Sequence, residues 1–283
     1  MQQLLFVVAL IAILVIGIRA MRHSVRAGIH RTQIPAQVEY WIYLPTERAP
    51  LQDDLMKIMV ATNSADPNRP TAITAREGMI FSDIRLLIEL TLRSRSPHVF
   101  RPDLLMSLSG TDSGNINGLA AAQSMLRVRY VSREQLADYR HLTFMPYLAH
   151  ASMKLGDGIA VLDVGRQRLM DPDQFTRWLT ATTNLESFES NVTIQVVEDD
   201  EYRRIVTTGM VTIGLRELRT LPLQADAETV AKQVVEELAR RCWDQRTEIE
   251  DMMVDLEFDS FRGYVQGRTA DTCELRIQRI TKS

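Results

Sequence analysis

The sequence has little cysteine and lacks the common catalytic motifs. Only Cys242 and Cys273 occur among 283 residues, so no disulfide framework is predicted, and two buried thiols in a reducing compartment are expected. The chain contains no glycine-rich phosphate loop, no Gly-x-Ser-x-Gly elbow and no Cys–His nucleophile signature. The motif-based support for P-loop enzymes, serine hydrolases and cysteine proteases is therefore missing, and no cofactor is expected.

Acidic residues are also missing from the start of the chain, where the first is Glu39. Four of the 33 basic residues precede position 32, so residues 32–283 hold 29 basic against 36 acidic residues, a net charge of −7. A protein that replaces the counterions of a nucleic acid needs a positive face. The net-acidic remainder therefore argues against nucleic acid as a partner.

An apolar run of 15 residues, Leu4–Ile18, begins the chain. As a helix it covers about 22 Å, less than the roughly 30 Å of a bilayer core, and flanking residues can lengthen it. We predict a transmembrane anchor over residues 1–21, followed by a basic juxtamembrane stalk over 22–35. A cleaved signal peptide and a buried core helix are the alternatives, but no basic residue precedes the run and the best cleavage position, after Ala20, follows an arginine.

Basic residues directly follow the apolar run and indicate the orientation of the predicted anchor. They are Arg19, Arg22, Arg26 and Arg31. The positive-inside rule keeps such a flank in the cytoplasm. We therefore expect a single-pass protein of the cell inner membrane whose globular part is cytoplasmic, with the periplasmic side as the alternative. The same arginines make membrane lipid the expected partner of residues 1–31.

Helix and strand patterns are intermixed through residues 36–283, which predicts an α+β globular region with a mixed, mostly antiparallel sheet and packed helices. A sub-boundary is conceivable near 97–112. The opening pattern, with a strand over 36–44, a helix over 51–61 and a strand ending near 93, resembles a ferredoxin-type half.

The later patterns predict further elements. A helical region extends from Ser132 to Leu155 and is broken at Pro146, and Asp171 caps the next helix. A hairpin is predicted around the acidic tip 198–201, with RRIVTTGMVTIGL as its second strand. An amphipathic helix from Asp226 to about Cys242 precedes three short strands.

One constellation would suit a hydrolase. Asp163 ends the apolar strand GIAVLDV, and His141 and His150 flank the preceding helix. A carboxylate that orients a histidine is a frequent catalytic pair. A turn aspartate and two core histidines are the structural alternative.

A basic segment around Pro97 collects Arg93, Arg95, His98 and Arg101. Guanidinium groups bind phosphate or carboxylate in a bidentate manner, so this segment is a candidate anion site. A solvated basic loop is the alternative interpretation.

The acidic stretch near the carboxyl end contains Asp255, Glu257 and Asp259. On one strand these side chains would share a face, and carboxylate oxygens are the ligands that Ca²⁺ and Mg²⁺ prefer. The stronger interpretation is a solvated strand face above a core of Leu256 and Phe258, so we predict no metal here.

Three stretches resemble uncharacterised bacterial proteins that are classed as domains of unknown function. They are SPHVFRPDL (Ser96–Leu104), RHLTFMPYLAHA leading into GIAVLDV (Arg140–Val164), and TTGMVTIGLRELRTLPL (Thr207–Leu223). The resemblance covers about half of the chain. It implies an α+β fold and no activity or catalytic residue.

The sequence therefore predicts a non-enzymatic, single-pass membrane protein whose globular region binds a ligand or another protein at the membrane. The alternative is a membrane-tethered hydrolase that uses Asp163 with His141 or His150. The two predictions differ in geometry, because the hydrolase needs these side chains to converge in a cleft.

Overall fold

The computed structural model describes residues 34–64, 85–104, 108, 113–134, 136, 138–199, 202–256 and 259–280. The predicted anchor over residues 1–21 and the stalk up to residue 33 lie outside this part of the chain. Within the described part, no helix combines the length and the apolar character that crossing a bilayer requires.

The first sheet contains five strands and is antiparallel throughout. Their bounds are β1 Ala36–Leu44, β2 Leu86–Leu92, β3 Ser124–Ser132, β4 Ala160–Asp163 and β5 Arg168–Met170. The strand order is β2-β3-β1-β4-β5. β1 lies at the centre and is buried on both faces, which agrees with its largely apolar sequence AQVEYWIYL.

Two helices cover one face of this sheet. They are α1 (Gln52–Ser64), which follows β1, and a later helix over Arg140–Leu155, which follows β3. Val38, Tyr40, Ile42 and Leu44 point to these helices, because alternate residues of a strand share a face. Each helix connects two parallel, non-adjacent strands, which is the split βαβ arrangement of ferredoxin-like sheets. The predicted ferredoxin-type opening agrees with this topology.

The opposite face of the first sheet is covered by the segment between β2 and β3. This segment contains α2 (Ser113–Gly118) and short 3-10 helices at Pro97–Phe100, Pro102–Leu104 and Leu119–Ala121. Tyr43 anchors it, since its hydroxyl donates to the Val99 carbonyl at 2.9 Å and its ring meets Phe100 edge-on. A second, smaller apolar cluster fills this side.

The second sheet contains six strands in the order β6-β7-β8-β11-β10-β9. Their bounds are β6 Thr193–Asp199, β7 Tyr202–Thr208, β8 Glu217–Thr220, β9 Asp251–Asp255, β10 Ser260–Arg268 and β11 Thr272–Ile280. Neighbouring strands are antiparallel except β8 and β11, which are parallel. The predicted α+β class and the mainly antiparallel pairing are therefore confirmed, although the strands form two sheets where one was predicted.

The remaining helices are α3 (the Arg140–Leu155 helix), α4 (Pro172–Ala181), α5 (Phe188–Asn191) and α6 (Glu228–Gln245), with 3-10 turns at Met210–Ile213 and Ala225–Ala227. α4 begins at Asp171 as predicted. The Asp171 carboxylate accepts the Gln174 amide N–H at 2.7 Å, and Gln174 Oε1 accepts the Asp171 amide N–H at 3.1 Å. α6 packs its apolar side on the second sheet, where Leu238 lies against Gly263. Its Cys242 is buried, as is Cys273, and neither forms a disulfide, as the sequence predicts.

Three predicted details of the helices and strands are wrong. α3 begins at Arg140 rather than near Ser132, and Pro146 lies inside it instead of ending it. The helix continues because residues 141–153 are all buried, and packing outweighs the one hydrogen bond that a proline removes. The strand predicted as RRIVTTGMVTIGL ends at Thr208, since Gly209 has φ +110° and starts a 3-10 turn.

Candidate functional site

A cleft of about 230 Å³ opens where the two sheets meet. One wall is the start of β1 and the β4–β5 turn, and the other is the region around the Gly209 turn and the β10–β11 turn. Six of its ten lining residues are polar. The lining residues are Ile34, Gln37, Glu39, Val164, Gly165, Gln167, Thr208, Val211, Glu217 and Asp271.

Glu39 belongs to the first sheet and is 6% exposed. Its carboxylate accepts Trp41 Nε1 at 2.5 Å and Gln37 Nε2 at 3.1 Å. Arg127 and Arg129, on the neighbouring β3, place their Nε atoms 3.0 and 3.3 Å from its two oxygens as ion pairs, although neither Nε is aligned for a hydrogen bond. Two guanidinium groups therefore balance this buried charge, as buried carboxylates generally require.

Glu217 is the first residue of β8 and faces Glu39's sheet from the other wall. One carboxylate oxygen accepts the Thr207 hydroxyl at 2.7 Å, and the other accepts the amide N–H groups of Gly209 at 2.8 Å and Val211 at 3.3 Å. These bonds close the Gly209 turn. Among the described residues no cation pairs with this carboxylate, and burial raises its pKa.

Gly209 fits this turn because no other residue has space there. Its φ of +110° favours glycine, and a Cβ atom would lie 2.0 Å from the Asn191 carbonyl oxygen. The turn therefore packs directly on the end of α5. This contact fixes the position of Val211 and of the Glu217 carboxylate in the cleft wall.

Three further polar groups line the cleft. The Thr208 hydroxyl oxygen is shielded from solvent and has no hydrogen-bond partner in the described part of the chain. Gln167, in the β4–β5 turn, has φ +52°, which is unfavourable for a residue with a Cβ atom. Asp271 is exposed, and its carbonyl accepts the Glu217 amide N–H at 2.9 Å, so the two acidic residues are neighbours.

The arrangement is rich in acceptors, with carboxylates and side-chain amides. The lining contains no lysine or arginine among the residues that the structure describes. Typical cofactor pockets occupy about 300–1,000 Å³, so a cleft of about 230 Å³ suits a small molecule or a single side chain better than a nucleotide or a flavin.

The predicted hydrolase residues occupy three separate hydrogen-bond networks. Asp163 is 5% exposed and binds Arg166, whose Nη1 lies 3.1 Å from one carboxylate oxygen and whose amide N–H lies 3.1 Å from the other. The Tyr40 hydroxyl also hydrogen-bonds Asp163, and burial, followed by the Asp163 charge, raises the Tyr40 pKa. Arg166 Nη2 also donates a hydrogen bond to Asn191 Oδ1 at 3.1 Å.

The two histidines have other partners. His141 Nε2 lies 2.8 Å from the Thr212 carbonyl oxygen, and its ring stacks on Tyr130. His150 Nε2 lies 3.3 Å from the Thr176 hydroxyl. Burial lowers the pKa of each histidine to about 4. In the described structure neither ring hydrogen-bonds Asp163.

The basic side chains of the candidate anion segment make separate contacts. Arg93 Nη1 donates to the carbonyl oxygens of Leu119, Ala120 and Ala122 at 2.8–2.9 Å and so caps the 3-10 helix there. Arg101 forms a bidentate pair with Asp103. Arg95 and His98 are exposed. These four side chains therefore do not share one ligand position.

The acidic stretch near the carboxyl end forms a hairpin turn rather than one continuous strand face. Asp255 ends β9 and accepts the Ser260 hydroxyl at 2.5 Å, while Asp259 lies in the turn and pairs with Arg279 at 2.7 Å. Glu257 lies outside the described residues. Within the described chain, no group of three or more His, Cys, Asp or Glu side chains is arranged to hold a metal ion.

No family model, no curated protein and no solved structure matches the chain. The resemblance to bacterial domains of unknown function therefore stays a prediction.

Sequence reasoning missed Glu39 and Glu217 as site residues. A weak signal existed in both cases. Glu39 is the one charged residue of a largely apolar strand, and Glu217 follows the Gly-Leu-Arg segment that ends the Gly209 turn. Neither signal identifies the opposite wall, because the two residues belong to different sheets.

Proposed function

We propose that this chain is a single-pass membrane protein whose α+β unit binds a small ligand, or one side chain of another protein, in the cleft between its two sheets. The observation that carries the proposal is the acceptor-rich cleft. It is concave, partly shielded, and lined by a carboxylate, Glu217, that lacks a charged partner among the described residues. Such a combination is the default signature of a binding site.

Catalysis is not part of this proposal. A hydrolase of the predicted kind needs the Asp163 carboxylate to orient a histidine. That carboxylate instead accepts from Arg166 and Tyr40, and both histidines are held in buried contacts. The cleft contains none of these three side chains.

Blocking the cleft tests the binding function. Val211→Trp places a large ring in the lining, whereas Val197→Trp changes an exposed residue of β6 that is 42% accessible. A library of small polar compounds is screened by thermal shift against the full chain in nanodiscs. We expect some compounds to raise the melting temperature of the wild type and of Val197→Trp but not that of Val211→Trp. A ligand stabilises only a folded protein that can bind it, and the tryptophan ring at position 211 blocks the cleft. Stabilisation that is equal in all three proteins contradicts the proposal.

The membrane part of the proposal rests on the Leu4–Ile18 run and the four arginines behind it. Alkaline extraction of membranes should leave the full chain in the pellet. A reporter enzyme that works only in the cytoplasm should be active when it is fused after Ser283. A reporter that works only in the periplasm should be inactive at the same position. Replacement of Arg19, Arg22, Arg26 and Arg31 by glutamine should weaken this orientation. A freely soluble mature chain that lacks its first twenty or so residues would contradict membrane anchoring.

A further inference from the structure

The two glutamates of the cleft differ in burial and in electrostatic surroundings, since Glu39 is buried and Glu217 is partly buried. Glu39 faces two guanidinium groups and two uncharged donors. Glu217 receives three uncharged donors, and no cation pairs with it among the described residues. Carboxylates that are largely withdrawn from solvent are normally paired, because desolvation of an unpaired charge is expensive.

The donors that reach Glu217 are all uncharged. They are the Thr207 hydroxyl and the amide N–H groups of Gly209 and Val211, and the Met210 amide N–H also interacts with the carboxylate. A cation in the cleft would therefore be its first charged partner among the described residues. Asp271 lies in the β10–β11 turn, and its carbonyl oxygen accepts the Glu217 amide N–H. The Gln167 side chain supplies a further acceptor in the same lining.

On the basis of the proposed binding function, we infer that the cleft takes an ammonium or guanidinium group, which it seats between the carboxylates of Glu217 and Asp271. Such a group supplies the positive charge that Glu217 lacks and several N–H donors for the surrounding acceptors. It can come from a small free amine or from a lysine or arginine side chain of another protein. The size of the cleft fits either source.

The lining disfavours other ligand classes. An anion would meet Glu217 and Asp271 without a lysine or arginine among the described lining residues. A neutral polar molecule would satisfy hydrogen bonds but leave the charge of the Glu217 carboxylate without a counter-charge. The charge of the ligand is therefore the property that the experiment varies.

The test measures binding to the full chain in nanodiscs of uncharged lipid, so that cationic probes do not adsorb to the bilayer. Isothermal titration compares methylguanidinium and methylammonium with methylurea, a neutral analogue of similar shape, and with acetate. We expect the cations to bind at least about tenfold more tightly than methylurea, since a single charge pair in a partly buried site contributes a factor of this order. Acetate should not bind.

Two variants locate the bound group. Glu217→Gln removes the charge with little change in shape, and Asp271→Asn does the same at an exposed residue whose replacement does not threaten folding. Each should raise the Kd for methylguanidinium, by about tenfold or more for Glu217→Gln and several-fold for Asp271→Asn. Asp226→Asn is the matched control: it removes one exposed carboxylate outside the cleft and should leave the Kd unchanged.

The outcomes separate the two proposals. Cation binding that is insensitive to both cleft variants overturns the inference. Equal or tighter binding of methylurea or acetate that Val211→Trp abolishes also overturns it but leaves the proposed function intact. If no probe binds, and no library compound distinguishes Val211→Trp from wild type, both proposals fail. N-acetylarginine methylamide distinguishes the sources: binding as tight as that of methylguanidinium indicates a protein side chain, and exclusion indicates a small amine.

Discussion

His141 Nε2 lies 2.8 Å from the carbonyl oxygen of Thr212, and this hydrogen bond links helix α3 to the turn that forms one wall of the cleft. A carbonyl oxygen accepts only, so Nε2 carries the proton. Because burial lowers the His141 pKa to about 4, the ring is neutral at pH 7. His150 shares this low pKa for the same reason.

These histidines predict acid sensitivity of the fold. Each has a pKa of about 4 in the folded chain against an ordinary value near 6.5, so the unfolded chain binds more protons between these values. Their contribution to stability is complete above pH 6.5 and is lost as the pH falls towards 4. The loss is roughly 3 kcal/mol per histidine at most, at 1.36 kcal/mol for each pKa unit.

Urea denaturation between pH 7.5 and 4.5 measures this effect. We expect His141→Gln and His150→Gln each to flatten the dependence of the unfolding free energy on pH. His98→Gln is the control, since His98 is exposed. The interpretation fails if the two buried variants keep the wild-type slope.

A methyl group at Gly209 should disrupt the turn that positions Glu217. Gly209→Ala introduces a Cβ atom 2.0 Å from the Asn191 carbonyl oxygen at a φ of +110°, and we expect a loss of about 3 kcal/mol or more. Gly118→Ala is the control, because its Cβ would be 3.8 Å from the nearest atom, Ile159 Cγ2, and alanine favours helix. Thermal denaturation compares the two. A Gly209→Ala protein that is as stable as the wild type would contradict this turn geometry.

The Asp163–Arg166 pair should behave as a coupled buried unit. The two side chains are 7% and 11% exposed, so Asp163→Asn or Arg166→Ala alone should cost about 3–5 kcal/mol by leaving a partner without its counter-charge. The double variant should cost less than the sum of the single variants, by about 1–3 kcal/mol.

The Arg101–Asp103 pair provides the comparison. Arg101 is 54% exposed in this pair, and surface ion pairs contribute about 0–1 kcal/mol. Arg101→Ala should therefore have little effect on the unfolding free energy measured in urea. If the losses in unfolding free energy at Asp163 and Arg166 are additive, or if Arg101→Ala loses as much, the buried pair is not energetically coupled as we expect.

Gln167 should show opposite effects on stability and on binding. Its φ of +52° costs about 1 kcal/mol in a residue with a Cβ atom, so Gln167→Gly should raise the melting temperature. The same change removes an acceptor from the cleft and should weaken methylguanidinium binding. Asp157→Gly is the control: its φ is +50° and it is exposed outside the cleft, so it should gain stability without a change in binding. Unchanged binding in Gln167→Gly would remove this side chain from the site.

Local signals made much of the fold predictable. The alternation in AQVEYWIYL predicts the strand that the structure has at Ala36–Leu44, and Asp171 predicts the start of α4. In both cases neighbouring residues determine the element. The break predicted at Pro146 is wrong because tertiary packing around α3 outweighs the local effect of the proline, and burial by distant elements is not visible in a local pattern.

The candidate site was much less predictable. Its walls come from two sheets, and pairing between distant segments brings Glu39 and Glu217 to the same cleft. Sequence reasoning favoured Asp163, His141 and His150 because these residue types perform catalysis. Whether such side chains serve packing or chemistry depends on their partners, and the partners are set by the tertiary fold.

The most direct measurement of the central claim is a crystal structure of the full chain soaked with methylguanidinium at a saturating concentration. The account predicts that the cation lies in the cleft with nitrogen atoms about 2.7–3.2 Å from carboxylate oxygens of both Glu217 and Asp271. An empty cleft, or a cation held elsewhere on the protein, would contradict it.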